Sequence, residues 1–344
     1  MATTSGFQRF APILLLAALG GCAINALRVE YAGNVGAAGQ AAAEGARGFL
    51  SLAEQTRNEA NIEIIVADPA CGQPGAIFRS DLVIDSATPQ MGDFCRKMTP
   101  QDNPKLVTRF SSTDPTEELA PALELIDVLI DYTDTLADIA AQEPVDAAQR
   151  IDQTLETASA LEDAFSALLG EQSGVTPAPD DPRVIAVKGF LQLTLALRKE
   201  ADQVEQLRAV LADNPNGARP MISALRRTLS AWELSRKSDS VIRLGVTKTL
   251  AKRVLDAVPP SKPAERRDAL RMDYGARAKA RTEDRFHPAV VRMLSELEAA
   301  DADFRRVIVK DPTLTKAERR KLAEITRQRV VAALQTFTAL VKAF

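Results

Sequence analysis

Tyr31-Ala-Gly-Asn-Val-Gly-Ala-Ala-Gly-Gln-Ala-Ala-Ala-Glu-Gly-Ala-Arg-Gly-Phe-Leu-Ser-Leu52 is the stretch whose reading decides the fold. Within it Tyr31, Val35, Ala38, Ala42, Gly45, Phe49 and Leu52 recur at alternating steps of four and three. That spacing is the seam of one helix packed against another. The small residues in the seam would let a neighbouring backbone come close. Yet Gly33, Gly36, Gly39, Gly45 and Gly48 each cost up to about 1 kcal/mol relative to Ala inside a helix. Propensity therefore predicts that segment 22–61 begins as a loose tether and only then becomes an Ala/Gly-rich helix.

Downstream, residues 62–114 break the helical pattern. Ile62-Glu-Ile-Ile-Val66 and Ile77-Phe-Arg-Ser-Asp-Leu-Val-Ile84 are short and β-branched, with Pro69, Gly72, Pro74 and Gly75 between them. They read as a hairpin-like pair of strands. Cys71 and Cys95 bracket the second one.

Helical periodicity resumes after Asp114-Pro115. Residues 116–141 place Leu119, Leu123, Ile126, Leu129, Ile130, Leu136 and Ile139 on one side. Glu124, Asp127, Asp131, Asp134 and Asp138 form an acidic stripe on another. Pro144 opens a second helix with a stripe from Ile151 to Leu168, and the short connection makes the two an antiparallel hairpin. Residues 173–182 are a loop by composition, and a third helix runs to about Ala212. A long helix is predicted from about Pro220 to Val258, with Ile222, Leu225, Leu229, Trp232, Ile242, Val246, Leu250 and Val254 as its apolar set. Residues 264–287 are nearly all polar, which predicts an exposed, charge-laced helix. A break at His287-Pro288 precedes an apolar face at Val290, Leu294 and Leu297. Thr315-Lys-Ala-Glu318 reads as the capping box of a final helix.

The net charge of −3 conceals a division. Residues 22–216 carry 14 Lys and Arg against 31 Asp and Glu, whereas residues 217–344 carry 28 against 15. The chain thus divides into an acidic helical half, 115–216, and a basic helical half, 217–344. Such asymmetry signals either a charged partner or two halves that pack on each other. The second reading places Asp127, Asp131 and Asp134 near arginines of the basic half.

The first 22 residues resemble a bacterial lipoprotein precursor. Arg9 precedes the apolar run Phe10-Ala-Pro-Ile-Leu-Leu-Leu-Ala-Ala-Leu19, which is shorter than the ~20 apolar residues a spanning helix needs, and Leu19-Gly20-Gly21-Cys22 follows. The resemblance implies that residues 1–21 are a signal peptide, that Leu19, Gly20 and Gly21 are recognition positions, and that Cys22 is the lipidated residue. Ala23 stands where the family's inner-membrane retention signal would be Asp, which implies an anchor on the periplasmic side of the outer membrane. In that oxidising compartment Cys71 and Cys95 read as a disulfide stapling the irregular insertion. Closing that loop would contribute roughly 3 kcal/mol on the chain-entropy model.

No catalytic constellation is legible. The acidic stripe suits a hard cation in principle, but ferritin-like sites pair Glu with His. The chain's one histidine, His287, lies elsewhere. No metal or cofactor is therefore expected, and Trp232 and His287 read as core or helix-surface residues. The basic doublets would suit nucleic acid, but an exported location points instead to an envelope protein or anionic lipid. The expected fold is all-α, an elongated antiparallel bundle of six or seven helices with a small disulfide-stapled irregular insertion. The expected role is structural, scaffolding or binding. A lipid-anchored cell-wall enzyme and a small-ligand carrier using the bundle interior stand as alternatives.

Overall fold

The computed structural model describes residues 23–73, 76–78, 94–97, 99, 115–141, 211–310 and 314–343. The protein is all-α, with six helices among these residues: α1 Ala23–Ala67, α2 Pro115–Ala141, α3 Arg219–Ala257, α4 Pro263–Glu283, α5 Phe286–Lys310 and α6 Lys316–Ala343. A 3-10 turn, Pro69–Gly72, follows α1, and strands β1 (Ala76–Phe78) and β2 (Cys95–Lys97) pair antiparallel, with Ile77 opposite Arg96. The helix expected from 144 to 168, the loop at 173–182, and all but the last turn of the third expected helix lie outside the described residues.

The spine is α1. Its 45 residues span about 66 Å at 1.5 Å per residue, and α2, α3, α5 and α6 all pack against it. The expected loose tether is corrected here. The chain is helical from Ala23, and Tyr31, Ala32, Val35, Ala38, Ala42, Ala43, Ala46 and Phe49 are fully buried. Glycine's intrinsic cost is overcome because its missing Cβ is what lets the neighbours approach. A Cβ on Gly39 would collide with the side chain of Thr133 on α2, and one on Gly45 would meet Met293 on α5. Close approach of backbones gives dispersion contacts along the whole seam, which outweigh a penalty of about 1 kcal/mol per glycine.

The strand expected at Ile62–Val66 is a second correction, since these residues are the last turns of α1. A strand would bury Ile62, Ile64 and Val66 on one face. Instead Ile64 is buried while Ile62 is 60% and Val66 62% exposed. Ala60, Ile64 and Ala67 continue the three-four rhythm inward, so tertiary packing overrides β-branched propensity. The strand pair is formed by Ala76–Phe78 and Cys95–Lys97 instead.

One apolar cluster runs through α1, α2, α3, α5 and α6 and includes Phe49, Leu125, Leu129, Leu225, Leu297, Phe304 and Ala333. The acidic and basic halves therefore share a core. A smaller cluster of Ile64, Ala67, Cys71, Phe94, Ile242 and Val246 fastens the stapled insertion to α1 and α3. Side-chain pairings fix the directions: Gln40 with Asp134 and Arg47 with Asp127 set α2 antiparallel to α1, whereas Arg57 with Asp239 and Glu59 with Arg243 set α3 parallel to it. The capping box forms as read: Thr315 N–H donates to Glu318 Oε2 at 2.8 Å and Glu318 N–H donates to Thr315 Oγ1 at 3.2 Å.

The glycine account yields a paired prediction. Gly39→Ala should lower stability in urea unfolding by ~1–3 kcal/mol, because Thr133 is short and branched and cannot swing away. Gly275→Ala on α4, where a Cβ meets nothing within 4 Å, should raise stability by up to about 1 kcal/mol.

Candidate functional site

The long helix α3 shows why a polar site forms inside it. Its apolar positions lapse between Trp232 and Ile242, and Glu233, Arg236, Asp239, Ser240 and Arg243 occupy the inward positions instead, all of them buried. Leu234 and Val241 point outward, at 72% and 50% exposure. Glu59 of α1 and Lys279, Glu283 and Asp284 at the end of α4 complete an ionic cluster where three helices meet.

Arg236, with no exposed surface, donates from Nε to Glu233 Oε2 at 2.8 Å, from Nη2 to Glu233 Oε1 at 3.1 Å, and from Nη2 to Asp284 Oδ1 at 2.7 Å. Its Nη1 lies 3.8 Å from Glu283 Oε2. Arg243 forms a fork with Glu283, Nη1 to Oε1 at 3.1 Å and Nη2 to Oε2 at 2.6 Å, and also donates to Glu59. Lys279 donates to Glu59 from the other side. Burial alone would lower both guanidinium pKa values, but the carboxylates outweigh it and raise them. Burial likewise raises Glu59, yet hydrogen bonds from Lys279 and Gln55 and the nearby cations hold it below the ordinary range. Burial wins at Glu63 and pushes its carboxyl up despite the Thr247 hydroxyl.

Beside the cluster, the Arg57 guanidinium lies over the Trp232 ring at 5.4 Å from its centroid and donates to Ser235 Oγ at 2.9 Å. The His287 ring stands 5.4 Å from that of Phe49. Burial lowers the His287 pKa, with Lys237 and Arg236 adding to the effect and Glu233 opposing it. Trp232 and His287 thus serve packing, as their sequence context suggested.

A second buried polar knot lies nearer the start of α1. Asp301, fully buried, accepts from the Tyr132 hydroxyl, from Ala218 N–H at 3.1 Å and from Arg305 Nε at 3.0 Å. It ties α2 and α5 to the turn before α3. In that turn Gly217 adopts φ +47°, where a Cβ would strike Arg305 and Asp301. Burial raises both the Asp301 and Tyr132 pKa values.

Cys71 and Cys95 form the expected disulfide, with Cα atoms 5.2 Å apart. Asp68 lies against it, donating nothing and accepting from Ala70 N–H at 3.0 Å and Cys95 N–H at 3.1 Å. The two sulfurs and this carboxylate come close enough together to resemble a metal-binding triad, but the bonded sulfurs are not thiolates. Leu19, Gly20, Gly21 and Cys22 lie outside the described residues. Two members of the acidic stripe turn to α1 rather than to the basic half: Asp127 pairs with Arg47 and Asp134 accepts from Gln40. The Glu124 carboxyl is raised by burial and by Asp127.

The sequence reading missed the ionic cluster. The available signal was the nine-residue gap in the apolar stripe of α3 between Trp232 and Ile242, where Glu233, Arg236 and Ser240 continue the helical spacing on to Arg243. Chemically the cluster neutralises itself: each buried cation meets at least one carboxylate. Its geometry sets the register of α1, α3 and α4. Comparison with protein families, curated proteins and solved structures finds no match to this chain.

Removing one member of a buried ion pair leaves the other uncompensated, at a cost of about 3–5 kcal/mol. Glu283→Gln should therefore destabilise by ~3 kcal/mol in urea unfolding, and the double variant Arg243→Met/Glu283→Leu should recover most of that loss. Glu59, whose pKa is depressed, contributes stability that is present at neutral pH and drains away as pH falls through its folded-state value. Glu59→Gln should accordingly flatten the acid limb of a stability-against-pH curve.

Proposed function

We propose that this chain is an envelope lipoprotein, held by an acylated Cys22 at the periplasmic face of the outer membrane, with a scaffolding or binding role. The observation that carries the reading is the order of Arg9, the apolar run Phe10 to Leu19 and Leu19-Gly-Gly-Cys22, followed by a chain that is helical from Ala23, the first described residue. An acyl group on Cys22 would sit at the start of a helix about 66 Å long that is the spine of the whole bundle. The anchor would then set the position of every other helix. More than one acyl chain is needed for lasting attachment, each buried methylene adding about 0.8 kcal/mol.

Two further features support the reading. The disulfide between Cys71 and Cys95 suits an oxidising compartment. The buried carboxylates Glu233, Glu283 and Asp301 are all held by guanidinium groups, the chemistry of a structural joint rather than of a general acid or base.

Metabolic labelling with a palmitate analogue in a host that processes lipoproteins should tag the protein, and Cys22→Ser should abolish the tag. An unlabelled protein that retains Met1 would contradict the proposal.

A further inference from the structure

One run of exposed cations in the basic half lies along the end of α3 and on α4. Because α3 runs parallel to α1, with Arg57 level with Asp239 and Ile64 beside Ile242 and Val246, the last turn and a half of α3 passes the end of α1. The first half of α4 returns alongside it, where Arg266 Nη1 donates to the carbonyls of Leu255, at 2.5 Å, and Val258, at 2.7 Å. Between Lys252 and Tyr274, Ala269 alone is buried. Residues 248–281 carry ten Lys and Arg against four Asp and Glu. Lys248, Lys252, Arg253, Arg267 and Arg281 are exposed and make no ion pair among the described residues.

On α4 the exposed face opposite Ala269 and Ala280 carries Arg267, Leu270, Arg271, Tyr274 and Arg281 within about a third of a turn, at 100° per residue. Leu270 and Tyr274 are 41% and 65% exposed. Scattered apolar and tyrosyl side chains among arginines form the composition that lies on anionic bilayers.

We propose that this end of the α3–α4 hairpin docks onto anionic phospholipid headgroups, and that this surface is a different one from that at the start of α1, some 66 Å away. That the surfaces are two rests on acylation of Cys22; the docking itself does not. The protein would then bridge an anchoring membrane and a second, anionic one.

The acylated full-length protein, reconstituted in neutral phosphatidylcholine vesicles, is mixed with separate vesicles containing about one third phosphatidylglycerol. Flotation before mixing shows whether the protein is anchored, so a failed anchor is seen apart from a failed dock. Protein that does not anchor is floated directly with the anionic vesicles. The expected result is capture of anionic but not neutral vesicles, weakening at least tenfold between ~0.05 and ~0.3 M salt. Arg267→Glu/Arg271→Glu/Arg281→Glu should reduce capture about tenfold or more, with helical circular dichroism unchanged, while Arg327→Glu on α6 should not. Absence of capture at low salt would overturn the proposal. So would capture that survives the triple charge reversal, or equal capture of neutral vesicles, or docking only onto the vesicle that already holds the anchor.

Discussion

Four helices can gather around a fifth only if the fifth is thin. The small-residue seam of α1 is the constraint on which the rest of this structure depends. Where Gly39 faces Thr133 and Gly45 faces Met293, the neighbouring side chains occupy the space a Cβ would need. Close approach lets modest side chains such as Ala38, Ala42 and Ala46 bury completely. It also lets one core serve both the acidic and the basic part of the chain. The division of charge is therefore not a division of domains.

Apolar contact along a thin seam holds helices together but specifies their axial positions poorly, because alanines and glycines repeat. The buried polar joints supply what the seam lacks. The Arg243–Glu283 fork fixes α4 against α3, Glu59 ties both to α1, and Asp301 ties α2 and α5 to the turn at Gly217. Ion pairs of this kind add little net stability compared with apolar replacements, while a half-broken one is costly. Their value lies in penalising every register but one. In the distal hairpin Arg266 ties the two helices through backbone carbonyls, while Lys252, Arg253 and Arg267 face solvent.

The helical class, the long helix over 219–257, the exposed character of 263–283 and the capping box at Thr315 were all legible in the chain, because each rests on local periodicity or local hydrogen bonding. The break expected at His287-Pro288 falls earlier, at Asp284 and Arg285, and His287 and Pro288 both lie inside α5. The disulfide followed from composition and inferred compartment. What was not legible depended on partners distant in sequence. Glycine propensity suggested a tether, since nothing local reveals that Thr133 and Met293 wait against those glycines. Ile62–Val66 suggested a strand, since only the insertion and α3 reveal that Ile64 alone turns inward. The ionic cluster hid among surface-like charges because Arg236 reads as half of a basic doublet until Glu283 and Asp284, some 47 residues on, close around it. The acidic stripe on α2 was drawn toward the basic half on net charge, whereas its Asp127 and Asp134 are engaged by Arg47 and Gln40 of α1.

The central claim is that α1 is an ordered spine from its glycine-rich beginning rather than a tether. Native-state amide exchange tests it most directly. The amides from Val35 to Ile64 should share one slow opening, with the same free energy and the same urea dependence as the core of α5 around Leu294 and Leu297. Fast exchange from Val35 to Gly48, with protection beginning only near Phe49, would contradict the account.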